Sequence, residues 1–214
     1  MAGMKNSAGK PVLLKMVAAI QANKDYLGEV DGLIGDGDHG MNMNKGFTMF
    51  GEQIAGKEIG FSEGLGELGT LLFSKIGGSM GPIYGTIFTA MSETGENLET
   101  IDTAGLAAML DAGLKALREV VQAAVGDKTL IDTLAPASEA LQRAAKEGKD
   151  LAAALAGMKA AAEAGRDSTK DLAAKFGRSS RLGERSRGVL DAGAVSCCVI
   201  LNAMADGILE LAGS

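Results

Sequence analysis

Residues 102–121 read Asp-Thr-Ala-Gly-Leu-Ala-Ala-Met-Leu-Asp-Ala-Gly-Leu-Lys-Ala-Leu-Arg-Glu-Val-Val. Leu106, Leu110, Leu114, Leu117 and Val121 recur at spacings of four, four, three and four, which sets them along one face of an α-helix. Asp102 or Thr103, short polar residues just ahead of the pattern, suit the N-cap. The spacing returns at Leu151, Leu155, Met158 and Ala162 behind Asp150. Alanine is abundant from 104 to 164, which favours helix and lets neighbouring helices approach closely. Long stretches lack the period-two alternation of half-buried strands, and prolines occur only at Pro11, Pro82 and Pro136. The spacing predicts helices near 12–26, 42–55, 61–76, 82–94, 103–121, 130–147, 151–175 and 192–211, an all-α fold of eight helices.

Outward from the helices, 214 residues fit one domain, 1–214, with no fixed-period repeat or low-complexity linker to divide it. A hydrophobic fraction of 46% and a charged fraction of 22% are those of a globular chain. Only 4% of residues are aromatic, Trp is absent and the net charge is −6. Nucleic-acid binding needs stacking platforms or a basic face, so that class is excluded. His39 is the only histidine, which rules out multi-histidine zinc or copper sites within the chain. The adjacent Cys197 and Cys198 would close almost no loop as a disulfide. They read as buried free thiols in a reducing cytoplasm. The N-terminus carries no signal-peptide pattern. The nearly apolar run 192–205 is shorter than a bilayer span, so no membrane partner is expected.

Glycine accounts for 31 of the residues, about twice the usual ~7%, and gathers between the expected helices. The densest chemistry lies in one such gap, Val30-Asp31-Gly-Leu-Ile-Gly-Asp36-Gly-Asp38-His39-Gly40. Three ionised carboxylates brought together repel unless a cation sits among them, and all-oxygen ligands point to Mg²⁺, Mn²⁺ or Ca²⁺. By spacing alone the segment reads equally well as a solvated acidic turn. Gly35-Asp-Gly37-Asp-His-Gly40 matches G-x-G-x-x-G letter for letter, yet its carboxylates would repel a bare pyrophosphate. The EF-hand pattern fails as well, lacking the third oxygen ligand and the Glu at position twelve.

Gly77-Gly78-Ser79-Met80-Gly81-Pro82-Ile-Tyr84-Gly85 leads into a helix, where amides form an anion site or the glycines merely pack closely. Gly126-Asp127-Lys128-Thr129 lacks the order of a Walker loop, leaving Asp127 or Thr129 as a helix cap. From 166 to 187 the formal charge is +4 against −10 elsewhere, a stretch that either clamps an anion or is a solvated connection.

Ile34-Gly-Asp-Gly-Asp-His-Gly-Met-Asn42-Met-Asn44, the Gly77 loop, Gly126-Asp-Lys-Thr-Leu-Ile-Asp-Thr-Leu and Gly177-Arg-Ser-Ser-Arg-Leu-Gly-Glu-Arg-Ser, in this order over nearly the whole chain, resemble the L subunit of dihydroxyacetone kinase. The resemblance implies a closed barrel of eight antiparallel helices with nucleotide bound across one end. It implies that Asp31, Asp36 and Asp38 hold Mg²⁺ bridging the phosphates of ADP or ATP. It also implies that His39, Gly40, Met41, Asn42, Ser79, Met80, Gly126, Leu130, Arg178, Asp191, Ala192 and Gly193 surround the nucleotide. In such enzymes the ketose sits on a separate K subunit, and in the phosphotransferase-dependent type an M subunit rephosphorylates retained ADP. Two other readings remain at this stage, the L chain of an ATP-dependent triose or tetrose kinase and a nucleotide-binding regulatory module.

Overall fold

A computed structural model describes residues 3–213; Met1, Ala2 and Ser214, the ends of the expected 1–214 domain, lie outside the described residues. The chain is mostly helical. Its α-helices are α1 (Lys10–Ala22), α2 (Lys24–Ile34), α3 (His39–Ile54), α4 (Phe61–Lys75), α5 (Met80–Gly95), α6 (Thr103–Val120), α7 (Ile131–Lys146), α8 (Leu151–Ser168) and α9 (Ala192–Ala212). Two-residue strands β1 (Met4–Lys5) and β2 (Thr100–Ile101) pair antiparallel, with Met4 opposite Ile101.

Sequence reading and structure part at two helices. The expected helix 12–26 is two: Asn23 leaves helical geometry at φ −101° and ψ 5°, and its side-chain amide turns back to donate to Ala19 O at 2.8 Å. The second piece, α2, carries Asp31 on its last turn rather than in a loop. The expected helix 151–175 stops at Ser168 and gives way to 3-10 turns at Thr169–Asp171 and Arg178–Ser186.

The helix starts follow the expected chemistry. Asp102, Asp150 and Asp191 accept hydrogen bonds from the main-chain N–H groups of Gly105, Ala153 and Ala194 at 2.8, 2.9 and 2.8 Å. Each joins an orphan donor of a first turn to an acceptor. Asp102→Ala is expected to lower the unfolding free energy by about 1 kcal/mol in urea titration.

Packing partners follow the chain: α3 lies on α4, α4 on α5, α5 on α6, α6 on α7, α7 on α8 and α8 on α9. α1 packs on both α9 and α3, and α2 rests against α3 and α9. One apolar cluster runs through them, from Leu13 and Met16 of α1 through Phe47, Leu68, Phe88, Leu110, Leu134 and Leu155 to Leu201 of α9. Phe47 and Phe88 meet edge to face at 6.4 Å, a favoured aromatic geometry.

Helix α9 corrects the expectation of a short apolar run. Its 21 residues are long and apolar enough to cross a membrane, but most of the helix is buried inside the protein, with Val195, Ile200, Leu201, Met204 and Ile208 in the core. Cys197 and Cys198 are free and buried on this helix, and burial pushes the Cys197 thiol far up, away from the reactive thiolate.

Candidate functional site

The N-termini of α3, α5, α7 and α9, the C-termini of α2 and α6 and the α4–α5 loop meet around a cavity of about 590 Å³. Asp31, Asp36, Asp38, His39, Asn42, Ser79, Met80, Leu130, Arg178, Asp191, Ala192 and Gly193 all line it. Gly40, Met41 and Gly126 do not: Gly40 is buried between helices, Met41 points outward at 63% exposure, and Gly126 sits in the loop behind.

Asp31, Asp36 and Asp38 each offer an oxygen within 4.8 Å of the others. Gly35 permits the arrangement, since a Cβ there would meet Asp31 Oδ1 at 2.3 Å. His39 N donates to Asp31 Oδ2 at 3.3 Å. Arg178 pairs with Asp36 and comes within 3.9 Å of Asp38. Three hard oxygen donors converging in the absence of thiolate fit Mg²⁺, Mn²⁺ or Ca²⁺. α3 and α5 open on the cavity with no hydrogen bond from the side chain of the N-cap residue; beyond His39 N, which is held by Asp31, such first turns offer main-chain N–H donors to an anion.

Behind the carboxylates lies a hydrogen-bonded floor. Ser196 Oγ donates to Gly193 O at 3.1 Å and accepts from His39 Nε2 at 2.8 Å and from the Tyr84 hydroxyl at 2.6 Å. Burial lowers the His39 pKa against the opposing charge of Asp31, so the ring is neutral and donates through Nε2. Burial also holds the Tyr84 hydroxyl well above its ordinary value, protonated as a donor.

Asp191 combines the α9 cap with a place in the cavity wall. Desolvation raises its carboxyl to about 6, against the opposing effects of the Ala194 N–H and Lys128. A folded-state pKa above the unfolded value near 3.9 means that ionisation between pH 4 and 6 destabilises the fold, fully so above pH 6. Asn keeps the cap without the charge. Asp191→Asn is therefore expected to raise the melting temperature at pH 7.5 relative to the parent and to make no difference at pH 3.5; equal gains at both would contradict the assignment.

Sequence reasoning offered Asp127 or Thr129 as the cap after the loop 126–129 and missed Asp132. Asp132, almost fully buried, accepts from Gly126 N at 2.6 Å and Thr129 N at 2.7 Å. Thr-x-x-Asp at 129–132 is the capping-box pattern that could have shown it. Thr129 Oγ1 accepts from Ile131 N at 3.2 Å, in keeping with a capping role. Asp127 instead accepts from Ala124 N at 2.8 Å and from Lys175 Nζ at 2.6 Å. Lys128, buried and at φ +61°, donates to the carbonyls of Thr169 and Val189. The basic stretch 166–187 divides: Arg178 reaches the carboxylates, whereas Arg166 pairs with Asp167 and Arg187 with Glu184.

Fold and site define a mostly helical protein whose helix ends and loops gather three carboxylates, uncapped helix N-termini and an arginine around a cleft. Comparison places it further: the DAK2 domain family matches residues 33–206, and the chain belongs to that family. It is 39% identical to the ADP-binding subunit DhaL of PEP-dependent dihydroxyacetone kinase 1 from Listeria innocua, over 86% of this chain and 88% of that one. It is 38% identical to the ADP-binding subunit DhaL of the PTS-dependent dihydroxyacetone kinase of Lactococcus lactis, over the same shares of the two chains. Among solved structures, the native dihydroxyacetone kinase of C. freundii superposes with a TM-score of 0.71 at 24% identity, over 96% of this chain and 36% of that one.

Proposed function

We propose that this chain is the ADP-binding subunit of a PEP-dependent dihydroxyacetone kinase. In this reading it transfers a phosphoryl group from Mg-nucleotide to dihydroxyacetone held on a separate K subunit. ADP is then a retained cofactor, rephosphorylated by a phosphotransferase M subunit. The carrying observation is the convergence of Asp31, Asp36 and Asp38 beside Arg178 and uncapped helix N-termini, in a chain related along most of its length to two ADP-binding subunits. That PEP- and PTS-dependent relatives match nearly end to end supports the retained cofactor over the freely exchanging nucleotide of an ATP-dependent kinase and over a regulatory module.

The order of packing partners, which returns from α9 to α1 and through α3 to α4, supports a single domain shaped as a closed barrel of eight antiparallel helices, with α2 outside the ring. In that frame Asp31, Asp36 and Asp38 hold Mg²⁺, which when bound neutralises charge on the phosphates and on the transferring group. Arg178 adds a fixed positive charge at the cleft mouth, and the first turns of α3 and α5 offer main-chain donors to phosphate oxygens. His39, Tyr84 and Ser196 hold the floor rigid, so catalysis rests on positioning and electrostatics. Gly40 then acts by letting α2 approach α3, Gly126 by shaping its loop at positive φ, and Met41 lies outside the cleft. The burial of α9 in the core supports a cytoplasmic protein without a membrane partner.

Reconstitution tests this. With K subunit, M subunit, the phosphotransferase proteins and PEP, dihydroxyacetone phosphate should accumulate only when this chain is present. Turnover supported by ATP alone at the same rate would refute the retained-cofactor role.

A further inference from the structure

Two walls of the cavity belong to segments far apart in sequence. The connection between α6 and α7 supplies Val121, Gln122, Ala123 and Thr129; the segment 169–190 supplies Phe176, Gly177, Arg178 and Ser179. The second segment is a strap whose ends are tied at the carbonyls of Thr169 and Val189 by the buried Lys128. Its middle is tied at two points, by Arg178 to Asp36 and by Lys175 to the α6–α7 connection. Lys175 donates through its main-chain N to Asp127 O at 3.2 Å and through Nζ to Asp127 Oδ1 at 2.6 Å. Asp127 Oδ2 in turn accepts from Ala124 N at 2.8 Å, so a single carboxylate joins both walls.

The place of this pair matters. Immediately beyond it Gly177 turns at φ +69°, a conformation that favours glycine, and Arg178, next along the chain, reaches Asp36. Asp127 is nearly buried, at 11% side-chain exposure, whereas the Lys175 side chain is 64% exposed. Lys175 therefore adds little to the core. The ammonium holds the Asp127 carboxyl below its usual range, which keeps the pair ionised at neutral pH.

We propose that Asp127 and Lys175 form a clasp that fixes the strap against the α6–α7 connection and so sets how slowly a bound nucleotide leaves. The proposal rests on the nucleotide-binding reading above. A ligand lying between the walls departs when the strap swings outward, and the clasp opposes that motion. Neither residue lines the cavity, so both act as positioning residues, on release rather than on contact.

The test uses the full chain with Mg²⁺ and ADP carrying a methylanthraniloyl fluorophore, displaced by excess ADP in stopped flow. Lys175→Met should release the label about fivefold faster, the factor that one partly exposed ion pair supplies, with association unchanged. Lys175→Arg should restore slow release. Lys159→Met, which removes the pairing to Asp206 between α8 and α9, should leave release unaltered. In nucleotide-free protein, Lys175→Met should raise amide hydrogen exchange across 176–188 with global stability retained. Unchanged release in Lys175→Met, or unchanged exchange across the strap, overturns the clasp. A parent protein that takes up no labelled ADP refutes the nucleotide reading instead, and the release claim falls with it.

Discussion

Asp36→Asn is expected to weaken Mg·ADP binding by about 100-fold, at least the upper end of what losing even an outer-shell partner of a metal ligand costs, while the circular dichroism of the helices stays unchanged. Electrostatics separates this from unfolding. Asp36 is 41% exposed on its side chain and pairs with an Arg178 that is 53% exposed, and such pairs add about 0–1 kcal/mol to stability. Removing one of three neighbouring negative charges also relieves repulsion in the nucleotide-free protein. The variant should fold as well as its parent and fail only when cation and nucleotide are supplied. Calorimetric titration with Mg²⁺ and ADP reads the loss directly; unchanged affinity would remove Asp36 from the metal site and return the segment to a solvated acidic turn.

Gly40→Ala should act in the opposite order, on stability first. A Cβ at this position would stand 2.0 Å from Lys24 O and 2.6 Å from Gly28 N. Both obstacles are backbone, so no side-chain rotation relieves them, and α2 has to move away from α3. Forced displacement in a packed interior brings a loss of about 3 kcal/mol, measurable by urea denaturation without nucleotide. Because α2 carries Asp31 and α3 begins at His39, the shift also disperses the carboxylates and weakens Mg·ADP binding. Were Gly40 only a contact for nucleotide, stability in the free protein would be untouched.

These two residues show how differently the sequence speaks about neighbouring positions. The gathering of Asp36 with Asp31 and Asp38 was legible because charge crowding is a local property: three carboxylates stand within eight positions. The role of Gly40 depends on a carbonyl sixteen positions earlier, which no local pattern reports. The helices with the clearest apolar spacing, α6 and the first part of α8, appear where that spacing set them. The break at Asn23 has no proline or glycine to mark it, and α2 was obscured by Gly28 and Gly32, poor helix formers within its eleven residues. Lys128 illustrates the remaining gap. A lysine in a glycine-led loop reads as solvent-facing, yet here burial is compensated by the carbonyls of Thr169 and Val189, both supplied by a segment more than forty residues away.

In the proposed function this chain keeps ADP and Mg²⁺ as a cofactor. Native mass spectrometry of the freshly purified protein, before and after prolonged dialysis against chelator and excess ATP, tests it most directly. The expected result is a mass for the chain with ADP and Mg²⁺ that exchanges only slowly. Empty protein that binds and releases ATP readily would contradict the retained-cofactor role, and protein that takes up no nucleotide at all would contradict the assignment of the site.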